Sequence, residues 1–64
     1  MASIAELKES IKKLVVEVDL LKRRHHQLSK EAISDKDEII FQILALRQEI
    51  VATQKEVIAR TAML

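Results

Sequence analysis

Ile4, Leu7, Ile11, Leu14, Val18, Leu21, His25, Leu28 and Ala32 follow one another at alternating steps of three and four residues. That spacing returns to one face of an α-helix every two turns and is incompatible with the two-residue period of a strand. It commits the first half of the chain to an amphipathic helix that lays one edge against another helix. In heptad notation Ile4, Ile11, Val18, His25 and Ala32 take the a positions, and Leu7, Leu14, Leu21 and Leu28 the d positions. β-Branched residues at a with Leu at d favour a parallel pair of helices. Val15, Val16 and Leu20 widen the apolar surface beyond what a two-stranded seam needs.

The second half runs in a different phase. Ile43, Ile50, Val57 and Leu64 recur every seven residues, as do Leu44, Val51 and Ile58 one position on, and Ala45, Ala52 and Ala59 after them. Ile39 and Leu46 supply the other side of the stripe, which decays to Thr53 and Arg60. Together these positions cover well over a third of a helix circumference. The remaining face carries Gln48, Glu49, Lys55 and Glu56. An apolar arc this wide meets more than one neighbour.

Composition agrees with helices throughout. The 64 residues contain no Gly, Pro or Cys, and Phe41 is the one aromatic residue. Tight β-turns draw on Gly, Pro and Asn, whereas Leu, Ala, Glu, Lys, Gln and Arg favour helix. The lack of cysteine excludes a disulfide framework and thiolate metal sites. No apolar run approaches the roughly 20 residues of a membrane span, and Glu6, Lys8 and Glu9 interrupt any signal-peptide pattern at the N-terminus. A cytoplasmic location is the expectation. Net charge is +1; residues 1–33 carry seven basic and five acidic side chains, residues 34–64 four and five. So small an imbalance gives no global pull toward nucleic acid.

The two phases meet at Ser34-Asp35-Lys36-Asp37-Glu38. A turn here, at about 33–35, would leave helices over about 3–32 and 35–63. Ser34 or Asp35 would cap the second helix, and Asp35 with Glu38 has capping-box spacing. Lys30 would sit in the last turn of the first. The competing architecture is one continuous helix in a parallel coiled coil, with a stutter near 32–36 where the core positions step Leu28, Ala32, Lys36, Ile39 and Ile43. That rod would be about 96 Å long. The double stripe decides for the hairpin, because a two-stranded rod leaves Leu44, Val51 and Ile58 in water. Two helices alone cannot cover both stripes either, so the hairpin is expected to self-associate into a helical bundle.

Candidate sites follow from this register. His25 lies on the seam and His26 beside it, about 100° round the helix, so the pair lacks the i, i+4 geometry of a two-histidine metal site. A polar seam histidine that helps specify register is the expected role of His25, ahead of a pH-sensitive contact or a metal ligand. Lys22, Arg23, Arg24 and Lys30 are the candidate polyanion contact, but three successive residues fan across about 200° of helix, and no Tyr or Trp offers base stacking. Phe41, at the edge of the apolar arc, is expected in the core or at a bundle end, with a partner anchor as the other reading. The serines have no histidine and acid arrangement for nucleophilic catalysis. Glu49 and Glu56 lie on the polar face, where nothing desolvates them.

The size, helical content and mid-chain acidic turn resemble the plan of Rop-type plasmid RNA-binding proteins, antiparallel hairpin dimers, with no residue pattern to carry over. Ile40–Leu44 and the Leu7–Leu28 heptads are similar to the first and last helices of all-helical chorismate mutases, but Lys8 stands where that family has arginine and the middle helix is missing.

The reading is one all-α oligomerisation domain over 1–64, non-enzymatic and without cofactor or metal. It would self-associate and dock a protein partner on its helical surface. The expected oligomer interface is Ile11, Leu14, Val18, Leu21, His25, Leu28, Ile43, Leu46, Ile50 and Val57. The alternative is a small nucleic-acid-binding regulator using the basic run.

Overall fold

The computed structural model describes residues 2–64, which form two helices, α1 (Ile4–Gln27) and α2 (Ile33–Ala62), folded back on each other as an antiparallel hairpin. The molecule measures 51 × 16 × 14 Å, about half the length a continuous rod would need. The rod is therefore excluded, and no strand occurs among the described residues.

Helix α1 begins at a side-chain cap. Ser3 is the N-cap, its hydroxyl accepting the Glu6 backbone N–H at 3.1 Å and donating to the Glu6 carboxylate at 3.3 Å. The first of these bonds satisfies one of the backbone donors that a helix start leaves open. Along α1 every residue of the three-and-four series is buried or half-buried, and every other residue is exposed. Arg24, His25 and His26 close the helix, where positive charge suits the negative end of its dipole.

The break comes five residues earlier than the sequence suggests. Helix α1 stops at Gln27, not near 32, and Leu28 turns to extended backbone at φ −75°, ψ 146°. Residues 28–32 make the connection, so Lys30 lies in the turn and not in the last turn of α1. The cap also differs. Ala32 is the N-cap of α2 and makes no side-chain cap hydrogen bond; Ser34 and Asp35 already lie in its first turn. Asp35 there still meets the positive end of the dipole. Packing explains the earlier break. At the closed end Leu28 lines the same groove as Ile39. With the break between them, the inner residues of α2 run Lys36, Ile39, Ile43, Leu46, Ile50, Thr53, Val57 and Arg60 without interruption, all buried or half-buried. The irregular steps that a continuous helix needed fall in the turn and vanish.

The core is one seam thick. Leu7, Val18 and Ile39 are its most enclosed residues, and no side chain among the described residues is fully buried. Two polar inner positions on α2, Thr53 and Arg60, have hydrogen-bond partners. Thr53 donates its hydroxyl to the Glu49 carbonyl at 2.8 Å. At the open end Arg60 donates to the Ala2 carbonyl and pairs with Glu56 at 2.7 Å.

Two measurements check this architecture. Spin labels at residues 5 and 62 of one chain, diluted in unlabelled protein, are expected at a separation set by the hairpin's 16 Å width, against about 85 Å along a rod. Ile39→Ala, at a site 6% exposed, is expected to cost about 2 kcal/mol in urea unfolding, the low end for core truncation because the seam is open on both sides. Val16→Ala, on the outer face away from both flanks, is expected to stay within about 0.5 kcal/mol of the parent.

Candidate functional site

The surface is the place to look for function, because the interior is a single seam. The ten residues expected at an oligomer interface all lie along that seam. Ile11, Leu14, Val18, Leu21, His25 and Leu28 face the second helix from α1 and the start of the turn, and Ile43, Leu46, Ile50 and Val57 face the first from α2. Within one chain they are already buried or half-buried. The apolar surface that the fold leaves uncovered is therefore a different set.

Its position follows from the register. With Lys36, Ile43, Ile50 and Val57 as a and Ile39, Leu46, Thr53 and Arg60 as d, positions e and b of both helices fall on one flank of the hairpin, and positions g and c on the other. The grooves agree with this division. One groove between the helices is lined by Lys22, His25 and His26 of α1 with Ile40, Ile43, Leu44 and Arg47 of α2. The opposite groove is lined by Glu17, Leu20, Leu21 and Arg24 with Gln42, Ala45 and Leu46. The first, the leucine flank, carries the exposed row Ile40, Leu44, Val51 and Ile58, with Leu44 and Val51 each 48% and Ile58 67% exposed. Val15 joins it from α1. The second, the alanine flank, carries Ala45, Ala52 and Ala59, all exposed.

Phe41 is 71% exposed, so it does not lie in the core of the hairpin. One residue past Ile40, it points away from the seam, and a shallow outer groove joins it to Ser34, Asp37, Glu38, Gln42 and Ala45.

His25 and His26 occupy separate environments. His25 is half-buried on the seam and His26 exposed, and their rings meet edge to face with centroids 6.1 Å apart. No group of three or more His, Asp or Glu side chains among the described residues is placed to hold a metal ion. The cations of the basic run are dispersed. Lys22 lines the leucine-flank groove, Arg24 the alanine-flank groove, Arg23 lies between them on the outer face, and Lys30 is in the turn. No helix among the described residues is long and apolar enough to cross a membrane.

The Ser3 cap and the Arg60 clip are two features that the heptad reading does not contain. The first had a signal, the Ser-x-x-Glu spacing of Ser3 and Glu6. The second had none, since Arg60 and Ala2 are 58 residues apart and meet only once the hairpin closes.

Comparison of the chain with family models, with curated proteins and with solved structures gives no match.

The two histidines separate in mutagenesis. His25→Leu replaces a half-buried polar ring with an apolar seam residue and is expected to raise stability by about 0.5–1 kcal/mol. His26→Leu is expected to change it by less than about 0.5 kcal/mol. Equal effects in urea unfolding would show that the register assigned to the pair is wrong.

Proposed function

We propose that the chain is a non-enzymatic interaction module that works by self-association and presents its helical surface to a protein partner. The observation that carries this reading is the row Ile40, Leu44, Val51 and Ile58, large apolar side chains left 43–67% exposed along one flank of a well-formed hairpin. Scattered exposed leucines are ordinary, but a periodic row is a surface shaped for another helix.

The area of the molecule supports the same conclusion. Its accessible surface is 5210 Å² for a mass of 7.3 kDa. A folded monomer of that mass is expected to expose about 4,200 Å². The excess, about 1,000 Å², is close to the roughly 800 Å² that each partner contributes to a standard interface. Two hairpins that cover this flank make a four-helix arrangement with coiled-coil-like packing, in which each helix gains a second neighbour. The edges of the seam residues that face the leucine flank are then covered as well.

Phe41 is the natural anchor for a protein partner. It stands clear of the seam near the turn end, and an aromatic side chain that enters a partner's pocket contributes more than any other residue of this surface. The polyanion alternative draws no comparable support, because Lys22 and Arg24 lie on opposite flanks and present no single phosphate-tracking strip.

The test is sedimentation of the wild-type protein and of the Leu44→Gln/Val51→Gln variant. Wild type is expected to associate in the micromolar range, and the variant to bind itself at least about tenfold more weakly, since two large side chains leave the interface. Val16→Gln, exposed on the outer face, is expected to leave association unchanged. A wild type that stays monomeric at millimolar concentration would refute self-association.

A further inference from the structure

The two flanks of the hairpin are chemically opposite, and we propose that a second copy of this chain docks its alanine flank onto the leucine flank of the first, head to tail. The inference rests on the self-association proposed above and specifies which surfaces meet.

Charge is the first argument. The helical e and b positions, on the leucine flank, hold four basic residues, Lys8, Lys12, Lys22 and Arg47, against two acidic ones, a net of +2. The g and c positions, on the alanine flank, hold six acidic residues, among them Glu17, Glu38 and Glu49, against two basic ones, a net of −4. A chain of net charge +1 thus carries a strong lateral dipole. Pairing two leucine flanks about a twofold axis sets +2 against +2, and pairing two alanine flanks sets −4 against −4. Only the unlike pairing brings opposite signs together, and unlike patches both steer encounter and exclude the wrong register.

Side-chain size is the second argument. Leu44, Val51 and Ile58 stand at three levels one heptad apart, about 10.5 Å along the helix. Ala45, Ala52 and Ala59 stand at the same three levels on the other flank. A row of large side chains fits a row of alanines of the same period as knobs fit holes, whereas two rows of alanines bury little and hold a shallow cleft open. The accessible surface in excess of a folded monomer's, about 1,000 Å², matches the roughly 800 Å² that a chain contributes to one such contact.

An interface between unlike flanks leaves one of each kind free at the ends of a pair. Growth therefore continues past two copies, into a ring or an open row, whereas twofold pairing stops at two.

Charge reversal and mixing test the assignment. Lys22→Glu/Arg47→Glu makes both flanks acidic, and Glu17→Lys/Glu38→Lys/Glu49→Lys makes both basic. All five residues are exposed, and far-ultraviolet circular dichroism verifies that the helices persist. In sedimentation velocity wild type is expected to form species larger than two copies. Each variant alone is expected to associate at least tenfold more weakly, and an equimolar mixture of the two to recover wild-type masses, because each acidic flank then meets a basic one. A wild type that ends at the dimer, a lysine variant that associates as well as wild type, or a mixture that fails to recover would overturn the head-to-tail arrangement while leaving self-association standing. A wild type that never associates removes the premise instead.

Discussion

Everything in this molecule depends on one seam of side chains between two antiparallel helices. Leu7 and Val18 from α1 and Ile39 from α2 are as enclosed as any residue becomes, and none is fully sealed from water. A two-helix chain has no third element to close the sides of its core, so each seam residue keeps an exposed edge. The turn, the capping and the placement of charge are all subordinate to keeping this seam in register. The break at Gln27 shows the hierarchy most clearly. A helix that could have continued through Ser29-Lys30-Glu31 ends early, without a side-chain cap for the next helix at Ala32, because that break lets Leu28 line a groove with Ile39 and lets α2 run in regular steps from Lys36 to Arg60.

The seam is apolar in its middle and polar toward its ends. Lys36 occupies the inner position nearest the turn, and Thr53 and Arg60 those toward the open end. Each polar group has a local remedy or a route to water. Thr53 returns its hydroxyl to the preceding helical turn. Arg60 is held between Glu56 of its own helix and the backbone ahead of α1. The decay of the apolar stripe toward the C-terminus, which weakens the helix pattern, therefore coincides with a directional contact that replaces it.

Much of the fold was legible in the sequence, and the reason is periodicity. The nine seam residues of α1 and its turn could be named one by one, because a three-and-four series in a helix has a single inward edge. For α2 two adjacent seven-residue series lie side by side in the sequence, and in the fold Ile43, Ile50 and Val57 face inward while Leu44, Val51 and Ile58 face out. Ser34, Asp35 and Glu38 imitate a helix start and point to a turn later than the one at residues 28–32, because local capping chemistry yields to the longer-range gain of seam register. Phe41 follows Ile40 at the edge of the apolar arc, which suggests a core position, yet it lies a full side of the helix away from the seam. The charge division between flanks follows from the register of each helix: the basic excess at e and b comes from Lys8, Lys12 and Lys22 of α1, and the acidic excess at g and c from Asp35, Glu38, Glu49 and Glu56 of α2.

The Arg60 contact with the Ala2 carbonyl has a consequence for how such a hairpin is carried. It brings the two ends of the described chain to the same tip of a body 51 Å long. A polypeptide joined to either end, or to both, departs from one point, and the turn projects to the far side as a spur. The hairpin can thus be mounted at a single loop of a larger protein without separating the strands or helices on either side of that loop, and the flanks remain clear of whatever bears them.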